Sequence, residues 1–337
     1  MTNPKRWFVL ALALLIAAPV LAQDADSEKA FEEVVVTAQK KEQGLREVPV
    51  SVATLSDEKL DAITAAGNDI RLLSSRVPSL HIESSYGRTL PRFYIRGLGN
   101  TDFDLNASQP VSLVYDGVVL ENPILKGYPM FDLERVEVLR GPQGTLFGRN
   151  TPAGIVSFNS RRPTYETGGF GRFSFGTYQT MQFEAAVNGA IVEDKLAARV
   201  SILNQSRNDW VKNTWDEAPP TDGKDLGGYK DFAGRFQLLW DVTDRFEVLG
   251  NVHMRDLDGT ARLFRADIVE SGSNKITDGF KREEVTIDGA NQQRVQEMGG
   301  VLNLKYEFDE ADLIAITGYE SGKIYSRGDI DGGDVYD

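Results

Sequence analysis

The stretch RFEVLGNVHM, residues 245–254, sets apolar and polar side chains in alternation. Phe246, Val248, Gly250, Val252 and Met254 share one face; Arg245, Glu247, Asn251 and His253 share the other, with Leu249 the exception. A period of two belongs to a β-strand, whose successive side chains point to opposite sides. The same texture begins near Thr167. In FQLLWDV, Phe236, Leu238, Trp240 and Val242 oppose Gln237, Leu239 and Asp241. In VLNLKYEF, Leu302, Leu304, Tyr306 and Phe308 oppose Asn303, Lys305 and Glu307. GRFSFGTY, TMQFEAAVNG and LAARVSILNQS behave alike, which gives about seven strands ending near Tyr325.

Alternation alone suits a soluble antiparallel sheet as well as a membrane barrel. The connections argue for the barrel. Joints near IVEDK, DVTDR and EFDEAD are tight, whereas 206–229 and 256–293 are long, polar and Gly-rich. Outer-membrane barrels have short periplasmic turns, long external loops and aromatic girdles at the interfaces. Trp240, Phe246, Tyr306 and Phe308 gather beside the tight turns. The apolar face is therefore expected to look at lipid. A small, odd set of strands cannot close, and an open edge in hydrocarbon leaves backbone groups unsatisfied. At roughly 22 residues per strand, a barrel of about 22 strands needs roughly 500 residues; Thr167 to Asp337 supplies 171. Residues 166–337 are thus expected to be the N-terminal portion of a barrel, about 7 of about 22 strands, in a chain that looks truncated.

The other end carries a targeting pattern. Lys5 and Arg6 precede an apolar run from Trp7 to Ala18, and Val20-Leu21-Ala22 offers a cleavage site before Gln23. The run falls short of the roughly 20 apolar residues a spanning helix needs, so residues 1–22 read as a cleaved signal peptide. Residues 23–41 read as a flexible N-terminus. Within it EEVVVTAQK, Glu32–Lys40, is strand-prone, yet nothing nearby offers it a second strand.

Residues 42–165 read as an α+β domain. Ser56 can cap a helix to about Ala66 that Gly67 stops, and Asn68 or Asp69 can cap IRLLSSRV, which Pro78 ends. SLHIES, PRFYIRG, VSLVYDGVVL and ERVEVLRG supply short strands bounded by turn residues. The 337 residues hold no cysteine and carry a net charge of −13, which argues against a nucleic-acid partner and suits an exported bacterial protein.

EEVVVTA, PRFYIRGLGN, VYDGVVL and above all ERVEVLRGPQGTLFGRNTPAGIVSFNSRRPT resemble the plug domain of TonB-dependent outer-membrane receptors. The likeness is dense over roughly 31–165; the barrel part matches in texture only. It implies that 33–38 (Glu33, Val34, Val35, Val36, Thr37, Ala38) is a TonB box, offered as an added strand to TonB, which ExbB and ExbD energise. A strand of the plug itself is the alternative. It implies that Arg96 and Arg140 latch the plug to barrel glutamates by bidentate pairing. Gly97, Gly141, Gly144 and Gly148 are expected to set turns and close packing. Loops 84–91, 98–108 and 121–130 are expected to face outward and help bind an extracellular ligand such as a ferric siderophore. Tyr86, Arg88, Asn100 and Tyr128 are the candidates there.

No enzyme signature emerges. GPQGTLFGRN lacks the phosphate-loop spacing and lysine, and GLGN opens no helix. His81 and His253 are the only histidines, G-x-S-x-G and H-E-x-x-H are absent, and RGDIDGGD lacks the EF-hand pattern. No catalytic residue, metal site or cofactor is expected. The reading is a nutrient-importing receptor in the outer membrane, with plug and TonB box facing the periplasm. A TonB-linked signal transducer and a non-transporting fragment are the alternatives.

Overall fold

The computed structural model describes residues 35–36, 43–44, 46–65, 67–215 and 225–333. The expected signal segment, the leader 23–31, and Glu33, Val34, Thr37 and Ala38 lie outside them.

Past Thr167 the alternating segments form one open antiparallel sheet in the order β10 (Gly168–Gly176), β11 (Thr180–Val192), β12 (Leu196–Arg207), β14 (Tyr229–Thr243), β15 (Phe246–Gly259), β17 (Gln292–Glu307) and β18 (Asp312–Arg327). Seven strands is the expected number. Apart from shifts at Ala190/Val192 and Asp241/Thr243, register carries across the sheet; Trp240 pairs with Val248, which pairs with Leu304 and then Ala315. The apolar phase points away from the rest of the protein. On β14, Phe232, Phe236 and Trp240 are exposed while Asp231, Arg235 and Gln237 are buried. On β15, Val252 is 56% and Met254 47% exposed, while Asn251, His253 and Arg255 are buried. A water-soluble sheet has the opposite sense, so this face is built for hydrocarbon. Phe246, Tyr306 and Phe308 form an aromatic cluster at the tight-turn end, with ring centroids 6.2 and 4.6 Å apart.

The tight turns fall where expected. At the other rim the long segments 208–228 and 260–291 are joined by a parallel pairing of β13 (Lys212–Asn213) with β16 (Glu284–Val285). A small core of Val211, Val285 and Ile287 lies beside Trp210, Leu226 and Leu263. One connection departs from the expected asymmetry. β10 and β11 are joined at that same rim by the short turn Thr177–Gln179, with Tyr178 and Gln179 both at positive φ.

Against the polar face of this wall sits the α+β part. Its five-stranded sheet has the order β3 (Ser51–Ser56), β8 (Leu133–Arg140), β9 (Gly154–Ser160), β6 (Val111–Tyr115), β7 (Val118–Leu120), with only β6 and β9 parallel. β4 (Leu80–Glu83) and β5 (Arg92–Ile95) form a separate hairpin. Helix α1 (Asp57–Thr64) starts after Ser56, but the Ser56 side chain makes no capping bond. The second expected helix is a 3₁₀ segment, Ile70–Ser75, and Asp69 is its cap, accepting from the Arg71 N–H. A buried core of Leu73, Phe93, Ile95, Val136, Val138, Val156 and Phe158 fills one face of the sheet.

The opposite sheet face carries a second cluster: Val114, Leu139, Phe147 and Ile155, covered by Val48 and by Val36. Here the expectation of an unpartnered N-terminal strand is corrected. β1 (Val35–Val36) pairs with β2 (Gln43–Gly44), and Val36 is fully buried. The partner strand, Gln43–Gly44, is too short for the sequence pattern to register.

Candidate functional site

The seam between plug sheet and wall is buried and mostly polar, with Leu203 and Ala233 of the wall joining the plug's apolar core. Asp132 stands at its centre, at positive φ in the corner before β8. Its carboxylate accepts from Arg199 Nε at 2.8 Å, from Arg199 Nη2 and from the Ser201 hydroxyl. Its N–H donates to Glu184 at 3.0 Å and its carbonyl accepts from Arg235 at 3.3 Å. Arg235 also donates to the Tyr115 hydroxyl and lies over the Phe131 ring at 4.7 Å. Four groups of β11, β12 and β14 thus converge on one plug residue. Buried charges need such pairing, because desolvation otherwise exceeds the attraction.

Further along, β15 presents a ladder. Asn251 donates to Asp116 at 2.8 Å. His253 is 3.1 Å from Glu320 of β18, and its ring stands edge-on to Tyr128 at 5.2 Å. Arg255 donates to the Gly127 carbonyl at 2.6 Å and to Asp231 at 2.9 Å. Gln293 closes the row at the rim, donating to Thr89 at 2.6 Å and to the Tyr86 carbonyl.

Of the four ligand candidates, Arg88 is the one engaged with carboxylates. It stacks on Tyr229 at 3.8 Å and lies within ion-pair distance of Asp69 (3.6 Å) and Asp231 (3.7 Å). Burial alone would raise the Asp69 carboxyl. The hydrogen bond from Arg71 and the charges of Arg88 and Arg71 outweigh it and hold the group down at about 2. Tyr86 packs edge-on against Phe103 and donates to its carbonyl at 3.1 Å. Asn100 braces the same loop, donating to the Ser108 carbonyl and accepting from the Asp102 N–H. Tyr128 departs from expectation. It is 6% exposed and wedged between plug and wall, its hydroxyl 3.4 Å from the Gly234 and Met254 carbonyls. Its loop composition reads as solvated, but its ring packs against Tyr115, Phe131 and His253 in the seam.

The two latch candidates sit apart from these contacts. Arg96 is exposed at the end of β5 with positive φ, and Arg140 reaches the Val52 carbonyl at 3.4 Å. Gly97, Gly141 and Gly148 take positive φ, as turns require, but a Cβ there would meet nothing within 4 Å, so conformation rather than close packing selects them. Gly144 has neither feature and opens a short helix, α2 (Gly144–Phe147). Gly154, unremarked in the sequence, does have a tight neighbour. A Cβ there would lie 2.1 Å from the Leu139 carbonyl oxygen.

A mixed plug set against the polar side of a lipid-facing strand wall defines the class of plugged outer-membrane barrels. Residues 44–155 match the model of the TonB-dependent receptor plug domain. Over 241 residues the chain is 28% identical to the pesticin receptor of Yersinia pestis, covering 69% of this chain and 33% of that one. It is 25% identical over 269 residues to the ferrioxamine B receptor of Salmonella typhimurium, covering 78% and 35%. The crystal structure of the ferric yersiniabactin uptake receptor FyuA from Yersinia pestis superposes with a TM-score of 0.70 at 22% identity, over 82% of this chain and 41% of that one. Residues 44–155 thus carry the plug domain of TonB-dependent receptors, and the chain spans about a third of the length of the curated relatives it matches.

Proposed function

We propose that this chain forms the plug and first wall of an uptake receptor that binds a ferric-siderophore-like ligand outside the cell and admits it to the periplasm under TonB control. The observation that carries the reading is the polar seam. A plug held by hydrogen bonds and ion pairs can exchange them for water when displaced, which a dry apolar contact cannot do at similar cost. The names of the relatives, receptors for pesticin and for ferrioxamine B, support the ligand class. Arg88, with Tyr86 and the Phe103 loop beside it, is the proposed ligand-facing group.

Residues 33–38 are the proposed TonB-binding strand. Among the described residues β1 pairs Val35 with Gly44 and Val36 with Gln43, and an added strand on TonB offers the same main-chain hydrogen bonds in exchange. Residues 1–22 are the proposed signal peptide, and the tight turns with the plug's N-terminus are proposed to face the periplasm. Arg96 and Arg140 keep their proposed role toward wall segments beyond the seven strands here. A synthetic peptide of residues 31–41 is expected to bind the purified C-terminal domain of TonB in calorimetry. No binding, alongside a control box that does bind, removes the coupling assignment. Growth of a deletion strain on single ferric siderophores tests the ligand class.

A further inference from the structure

Two glycines on the lipid side of the wall have no backbone reason to be there. Gly250 of β15 and Gly300 of β17 both lie outside the positive-φ region, and a Cβ on Gly250 would meet nothing within 4 Å. Glycine inside a strand weakens it and often marks the close approach of another molecule. Here the two glycines floor a groove of about 430 Å³ walled by Phe236, Leu238, Val252, Leu302 and Tyr319. Register sets these residues in two neighbouring rows across four strands, Phe236–Val252–Gly300–Tyr319 and Leu238–Gly250–Leu302–Thr317.

Toward the long-loop rim the same outward face changes character. Lys230, Arg294, Lys323, Tyr325 and Arg327 are all exposed there. The two acids among them are engaged within the face: Asp258 accepts from Arg294 at 2.7 Å and Asp256 from Gln296 at 3.1 Å. Lys230, Lys323 and Arg327 present their charge outward, a positive band on a chain of net charge −13. Lys230 and Lys323 stand three strand spacings apart, about 14 Å, a span that suits a headgroup with more than one phosphate. Lys323 lies in the row of Gln296, and the groove begins at Gly300 and reaches Leu302. That is four to six residues further down, about 13–20 Å along the strand, or about 10–15 Å of depth at the usual tilt. Half of the roughly 25 Å apolar band has that depth, so one acyl chain hung from the cations ends in the groove.

We propose that the outward face of β14, β15, β17 and β18 holds one phosphorylated glycolipid of the outer leaflet, of the lipid A type. Its phosphates meet Lys230, Lys323 and Arg327, and one of its acyl chains lies in the groove over Gly250 and Gly300. Cations beside a membrane each add attraction for an anionic headgroup, and each buried methylene of the chain adds to it. The leaflet rests on the orientation read above, with the long loops outside.

The test titrates lipid A into the purified full-length receptor in dodecyl maltoside, with bound lipid counted by native mass spectrometry. One molecule is expected to bind, in preference to phosphatidylglycerol. Lys323→Gln with Arg327→Gln should weaken it by about tenfold or more, at roughly fivefold per cation. Lys195→Gln with Arg245→Gln removes two exposed cations at the tight-turn end and should change it by less than about twofold. Gly250→Leu fills the groove without meeting a neighbour and should weaken it by about tenfold. Affinity unchanged by Gly250→Leu, equal losses from the two cation pairs, or equal binding of phosphatidylglycerol overturns the proposal. Orientation is read separately: Lys323→Cys should react with a membrane-impermeant maleimide in whole cells. No reaction there overturns the orientation and the leaflet with it; reaction there without lipid A binding to the purified receptor overturns the lipid site alone.

Discussion

Replacing Asp132 by Ala strands Arg199 in the seam. The Asp132 side chain is fully enclosed, and Arg199 is itself only 8% exposed, so neither charge can retreat to water. Breaking a buried pair by deleting one partner typically destabilises by about 3–5 kcal/mol. Two terms adjust that figure here. The Ser201 hydroxyl loses its acceptor, adding about 1 kcal/mol. Glu184, which accepts from the Asp132 N–H and lies 3.5 Å from Arg172, is relieved of a neighbouring negative charge, which takes back a similar amount. A loss of about 4 kcal/mol is expected. None of the four tryptophans lies in the plug, so undocking is best read by pulse proteolysis of the detergent-solubilised receptor across a urea series. Adding Arg199→Met to Asp132→Ala removes the stranded charge and is expected to restore about half of the loss. A loss below about 1 kcal/mol, or strict additivity of the two substitutions, would refute the view that this cluster fastens the plug.

Other outcomes follow from the same geometry. Lys126 is buried in the plug, donating to Gln109 and to the Val111 carbonyl, and burial lowers its ammonium from 10.5 to about 8 against the pull of Glu121. The folded state disfavours the charged form, so the penalty is complete below about pH 8, shrinks as pH rises, and vanishes above 10.5. Lys126→Met should therefore stabilise the plug at pH 7 by about 1–3 kcal/mol, after allowing for the lost bond to the carbonyl; a destabilised variant in urea titration contradicts this. Asp69 works in the other direction. Held at about 2, it contributes stability above pH 3.8 that is lost as pH falls toward 2, and Asp69→Asn should flatten that acid limb. Val36→Glu should free β1 at an expense of about 2 kcal/mol, seen as faster amide exchange at Val35 and Gly44 while β6 and β9 keep their protection. Val252→Lys, on the lipid side of β15, should cost about 2–4 kcal/mol of folding free energy in phosphatidylcholine vesicles, whereas a penalty near zero contradicts its lipid exposure.

The strand wall was legible because its driving forces are local. Each strand must show one face to lipid and one to the lumen, so Val252, Met254 and Trp240 carry the signal by themselves. The tight turns at 193–195, 244–245 and 308–311 and the Asp69 cap were legible for the same reason. What escaped depends on distant partners. Nothing around Asp132 foretells Arg199 and Ser201 more than sixty residues away, and Arg235 and Arg255 have the composition of solvated wall positions. The β13–β16 pairing joins segments about seventy residues apart, and two-residue strands carry no periodicity. Tyr128 misled because loop-like neighbours indicate a turn but not the side on which that turn is covered. Val36 misled because strand propensity says nothing about whether an extended segment is free or docked.

The central claim, a plug on the polar side of a lipid-facing wall, is tested most directly by a spin-label scan of positions 249–256 of β15 in the receptor reconstituted in lipid. Labels at 250, 252 and 254 should collide with oxygen dissolved in the bilayer and those at 249, 251 and 253 should be shielded from it, giving a two-residue period. The opposite phase, or no period at all, would contradict the claim.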